Sequence, residues 1–145
     1  MRETAKLFLL AALCLALALP AAAQAASGSD AALVPLGKTQ FRVYCASCHG
    51  AGAEGDGRLA EYLTLKPADL TTISKRHDGD FPAERVAKII DGREPVRGHA
   101  GDMPVWGDAF QRLDEMEGKT DTERDAEVAK RIDALVAFLR SIQAE

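Results

Sequence analysis

Residues 45–49 read Cys-Ala-Ser-Cys-His, and this pentapeptide limits what the rest of the chain can fold around. Two thiols separated by two residues fit within one helical turn, so both sulfurs can reach one object. The next residue, His49, is carried in beside them. C-x-x-C-H is the spacing of c-type haem attachment, in which each sulfur bonds one vinyl group and the histidine binds iron axially. Other readings explain less. A thioredoxin-like dithiol needs a surrounding βαβ pattern, which this sequence lacks. A structural zinc site needs four ligands, usually as a second close pair, and His77 and His99 are too far apart to supply one. A disulfide between Cys45 and Cys48 leaves the adjoining histidine without a purpose.

The length, 145 residues, suits one domain plus a removable leader. Arg2 and Lys6 precede an apolar run from Leu7 to Leu19, then Pro20 and the small residues Ala21-Ala-Ala-Gln-Ala-Ala26. Basic head, short apolar centre and A-x-A exit make residues 1–25 a secretory signal, with cleavage after Ala23 or Ala25. A flexible segment is expected over 26–35 and the folded domain over 36–145. A membrane span needs about 20 apolar residues. Leu7–Leu19 is shorter and no other stretch approaches that length, so no span is expected after cleavage. Cys14 leaves with the leader, so Cys45 and Cys48 remain alone in an oxidising compartment, taken here as the periplasm. The chain carries 18 Lys and Arg against 22 Asp and Glu, a net charge of −4. Losing Arg2, Glu3 and Lys6 makes it one unit more negative. Such a balance argues against nucleic acid, whose binding relies on basic side chains at phosphates. A docking partner steered by charge would be basic.

Periodicity places helices around the motif. Gly37, Phe41, Tyr44 and Cys48 fall near one face of a helix leading into it. The glycine-rich run Gly50–Gly57 ends that helix and lets backbone pass close to a flat cofactor. A middle helix is expected over Pro82–Asp91, with Gly92 as its stop and Val86, Ile89 and Ile90 facing inward. Val128, Ile132, Leu135, Val136, Leu139 and Ile142 form one apolar stripe on a last helix. The acidic stretch 114–127 reads as a solvated connector, with a partner surface as the other possibility.

Iron bound by one histidine has a second axial face. Met103 stands in Gly101-Asp-Met-Pro-Val-Trp-Gly107, too broken by Gly and Pro to be a helix. Pairing of His with Met in cytochromes c makes Met103 the expected sixth ligand. Met116, amid acidic residues, is expected to face water. His99 is the rival ligand, and His77 reads as part of a solvated polar loop. Trp106 is the sole tryptophan, and its N–H needs an acceptor if buried. That acceptor is either a haem propionate or a group in the core.

Cys45-Ala-Ser-Cys-His-Gly50, the later Met103-Pro104 and the aromatic-bearing last helix together resemble the class I cytochromes c, over roughly residues 36–143. The resemblance implies an all-α fold, in which N- and C-terminal helices cross and short helices surround one covalently attached haem c. Gly37 and Phe41 match first-helix positions of that family, and Phe138-Leu139 match its last-helix aromatic pair. Gly57-Arg58-Leu59 lacks the proline often found shortly after the histidine. Pro67 resembles the alternative arrangement of many bacterial members, which implies that its carbonyl accepts the Nδ1–H of His49. The function implied is periplasmic electron transfer between redox partner proteins by a monomer, without enzymatic activity. Transfer is expected at the haem rim near Ala46 and Ser47. Two alternatives stay open: a haem enzyme or gas or peroxide sensor with a labile sixth position, and a cytochrome subunit of a dehydrogenase or oxidase complex.

Overall fold

A computed structural model describes residues 22–93 and 103–144 of the chain. Nearly all of the expected signal segment, and His99, lie outside the described residues. The first helix, α1 (Ala22–Gln40), runs into one wider π-helical turn at Phe41–Cys45 and then the short α2 (Ala46–His49). The 26–35 segment, expected to be flexible, is helical and belongs to α1; its Asp30 pairs with Arg140 near the C-terminus. Pro35 sits inside α1 and has no N–H to donate. Two short 3-10 turns follow the motif, Ala60–Tyr62 and Lys75–His77. Then come α3 (Ala83–Asp91), α4 (Trp106–Gln111), a 3-10 turn at Asp114–Met116, and α5 (Asp121–Ser141). Among the described residues there is no strand, and the fold is all-α as expected.

The crossing of α1 and α5 organises the molecule. A Cβ on Gly37 would stand 1.8 Å from the Ala134 carbonyl oxygen, so the two backbones meet where a side chain is missing. One turn on, the Phe41 and Phe138 rings pack with centroids 5.3 Å apart. Phe41, Val128, Ile132, Leu135 and Leu139 are buried around this contact, with Val86 and Ile90 of α3 and Phe110 of α4. The stripe read from the last helix is thus its buried face, and Val86 and Ile90 point inward from α3 as expected.

The acidic connector is shorter than the sequence indicated. Thr120 caps α5: its hydroxyl accepts from the Glu123 N–H, and the Glu123 carboxylate accepts from the Thr120 N–H at 2.8 Å. This capping box starts the helix at Asp121, inside the stretch expected to be connector. Met116, expected to face water, is 1% exposed. The reason is local: the turn at 114–116 folds inward, and the flanking charged residues Glu115 and Glu117 take the solvent side.

The tail closes over the segment after the motif. Gln143 donates to the Leu70 carbonyl at 2.8 Å and accepts from the Ser74 N–H at 2.9 Å, and the Ala144 N–H reaches the Thr71 carbonyl at 2.7 Å. No helix of the described residues is long and apolar enough to cross a membrane.

Candidate functional site

The Cys-Ala-Ser-Cys-His turn ends a helix, so four carbonyls there lack intrahelical donors. The following loop supplies them. Leu59 N–H donates to Ser47, Gly57 to Cys48, Gly55 to His49 and Ala53 to Gly50, all within 2.8–3.1 Å. A Cβ on Gly57 would lie 2.5 Å from the Cys48 carbonyl oxygen. Gly57 therefore serves a close approach of backbone to the motif's own carbonyls. The loop makes a fixed bracket beneath Cys48 and His49.

Cys45 and Cys48 are free thiols, both half-buried. Burial, with the neighbouring Cys48 sulfur adding to it, pushes the Cys45 thiol up to about 12. A disulfide-exchange centre needs a thiolate near neutral pH, and burial works against one at Cys45. Among the described residues no three His, Cys, Asp or Glu side chains converge as a closed zinc site requires.

His49 Nδ1 lies 3.2 Å from the Ala68 carbonyl oxygen. Burial lowers the imidazole pKa, and the bond to Ala68 acts in the opposite sense with smaller effect. The ring is thus a neutral imidazole with Nδ1–H donating, which leaves Nε2 as the basic nitrogen. Ala68, not Pro67, accepts this bond, so the expectation is one residue out. The Pro67 carbonyl turns instead toward Gly55, 2.3 Å from where a Cβ there would be. With that oxygen directed at the loop, the next carbonyl faces the imidazole.

Beside the motif opens an apolar cavity of about 670 Å³. Its wall includes all six residues singled out from the sequence: Cys45, Cys48, His49, Pro67, Met103 and Trp106. Phe41, Leu70, Val86, Ile89, Leu135 and Leu139 supply much of the apolar remainder. Tyr44, Trp106 and Phe110 form an aromatic cluster at one side, with ring centroids 5.3–5.6 Å apart. Met116 is not in this wall. A shallower hollow over Gly55–Lys66 lies outside the motif and holds neither thiol nor imidazole.

Four basic side chains of the wall were not placed at the site by the sequence reading. His77 is exposed as expected, yet its ring also borders the cavity, with Nδ1 2.9 Å from the Ile73 carbonyl. Lys66, Arg76 and Arg85 border it too, and among the described residues every charged one in this wall is basic. Spacing gives no signal for them, because each sits where the sequence reads as solvated surface.

The donor set and the cavity fit a haem. Two thiols and an imidazole stand on one helical turn, a thioether shares their cavity, and the wall is apolar with basic groups able to face carboxylates. The chain matches the Cytochrome c family over residues 34–143. It is 37% identical over 87 residues to the Cbb3-type cytochrome c oxidase subunit CcoP of Azospirillum brasilense. That alignment covers 60% of this chain and 25% of the relative, so the chain spans about a quarter of the length of the curated relative it matches. No solved structure matches the chain.

Proposed function

Because the chain belongs to the cytochrome c family, with its covalent haem c and haem-based electron transfer, we propose that it is an exported one-electron carrier with His49 and Met103 as axial ligands. The observation that carries this reading is the single apolar cavity whose wall holds Cys45, Cys48, His49 and Met103 together.

The bound haem supplies an iron that changes oxidation state by one electron. Cys45 and Cys48 would hold the haem through two thioether bonds to its vinyl groups. His49 offers Nε2 to the iron while the Ala68 carbonyl holds the proton on Nδ1, fixing tautomer and ring orientation. Met103 offers a soft thioether, which raises the potential relative to a second histidine. The apolar walls exclude water from the iron. Lys66, Arg76 and Arg85, with Trp106 as a neutral donor, suit the two propionates. With His49 and Met103 both holding the iron, the group would be closed to substrate and would exchange electrons without binding one. Leu59, Leu65 and Tyr62, exposed near the cavity, suit brief contact with a redox partner.

Residues 1–25 support export to the periplasm by their signal pattern. The similarity to an oxidase subunit favours a second reading, a cytochrome subunit bound within an oxidase complex. The two readings share the chemistry and differ in partner. Maturation in a host that attaches haem c, followed by potentiometric titration, tests the shared part. One reversible one-electron wave, haem retained after denaturation, and no carbon monoxide bound by the reduced protein are expected. Carbon monoxide binding would favour a sensor or enzyme. Fractionation of native cells separates the rest: a free periplasmic protein supports the carrier, and recovery only with a membrane complex supports the subunit.

A further inference from the structure

A charged network outside the cavity lies against the start of α4, four residues after Met103. Arg93, just past α3, lays its guanidinium on Asp91, with Nε 2.7 Å from Oδ1 and Nη2 2.8 Å from Oδ2. This is a two-pronged pair, the strong geometry for arginine and carboxylate. Arg93 Nη1 also reaches Asp125 Oδ1 of α5 at 3.1 Å, and Gln111 at the end of α4 donates to the same oxygen at 2.7 Å. Four side chains so join the ends of α3 and α4 to the first half of α5.

Gly107 lies directly beneath. A Cβ there would stand 2.5 Å from both Arg93 Nε and Asp91 Oδ1, so the pair rests on bare backbone at the start of α4. Gly107 follows Trp106 and comes four residues after Met103, while Arg93 opens the stretch leading to Met103. Arg93 and Asp91 are only 35% and 24% exposed, whereas Asp125 is 59% exposed. The fork geometry and the shared oxygen, more than any one ion pair, give the network its hold.

We propose that Asp91, Arg93 and Asp125 are positioning residues for Met103, fixing the base of its segment so that the thioether stays on iron. The proposal rests on the assignment of Met103 as the sixth ligand. A thioether is a weak, neutral donor, so its occupancy depends on how firmly the backbone at 103–107 is held. An external ligand can bind only when the thioether is off the iron, and its apparent affinity scales with that fraction.

The test titrates ferric holoprotein with imidazole in the wild type, Arg93→Ala, Arg93→Lys, Asp91→Asn and Arg140→Ala. Arg140 pairs with Asp30 in the middle of α1 and controls for general loss of stability, followed by urea. Arg93→Ala is expected to tighten imidazole binding roughly tenfold, the scale of a lost charge-assisted contact in a half-exposed setting. Arg93→Lys keeps the charge without the fork and should fall between, and it carries the test if Arg93→Ala fails to hold haem. Arg140→Ala should leave imidazole affinity unchanged. Wild-type affinity in both Arg93 variants, or an equal shift in Arg140→Ala, would overturn the positioning role. A wild-type ferric spectrum without methionine–iron absorption would instead overturn Met103 as ligand, and this role with it.

Discussion

The Ala134 carbonyl oxygen occupies the space where the side chain of Gly37 would begin, 1.8 Å from an ideal Cβ. The obstacle is helix backbone, which cannot step aside as a flexible side chain can. Gly37→Ala should therefore push α1 from α5, loosen the Phe41–Phe138 contact and cost about 2–3 kcal/mol in urea unfolding. In an open helix the same change would be favourable by about 1 kcal/mol. A stabilised Gly37→Ala protein would mean that the helices do not approach this closely.

Thr120 and Glu123 cap α5 reciprocally. Thr120→Ala removes one half of that box on an exposed turn and should lower stability by about 1 kcal/mol. Thr120→Ser should restore most of the loss. The haem spectrum should not change in either variant, because neither residue borders the cavity.

The two methionines of the folded domain should separate cleanly. Met116 is 1% exposed and away from the cavity. Met116→Ala should cost about 2–5 kcal/mol of stability by leaving a cavity, with the ferric spectrum of the wild type. Met103→Ala should do the reverse, altering spectrum and potential more than the urea midpoint. A spectral change in Met116→Ala would reverse their roles.

Acid should weaken the network at Asp91 in a defined direction. The Arg93 guanidinium holds the Asp91 carboxyl below its ordinary value of 3.8, so the unfolded chain takes up that proton more readily than the folded one. The associated stability is present above the ordinary value and is lost as pH falls through the lower folded value. Asp91→Asn lacks it at every pH. Urea stabilities of wild type and Asp91→Asn should differ at neutral pH and converge only as pH falls from the ordinary value of 3.8 to below the lower folded value. A gap that stays constant across that range would show that the Asp91 pair contributes nothing.

How much of this was legible beforehand depended on whether the signal was local. Cys45, Cys48 and His49 declare themselves by spacing alone, since one helical turn must present them together. Gly37, Phe41 and Phe138 were legible through resemblance, and the stripe on α5 through its period. Met116 was misjudged because its acidic neighbours made the stretch look solvated, although a single turn can bury one side chain and expose the next. The capping box at Thr120 was present in the sequence as Thr-x-x-Glu and went unused. Ala68 displaced Pro67 because the choice between adjacent carbonyls depends on how the chain passes Gly55. Lys66, Arg76 and Arg85 reach the cavity from separate segments, and Arg93 meets Gly107 only after the chain has doubled back. No one-dimensional pattern records such meetings.

The most direct measurement of the central claim is the absorption spectrum of the oxidised, matured protein beside that of Met103→Ala. The expected result is low-spin haem c with the weak red charge-transfer band of methionine bound to iron in the wild type, lost in the variant. A wild-type spectrum that is high-spin, or low-spin without that band, would contradict His49 and Met103 as the axial pair.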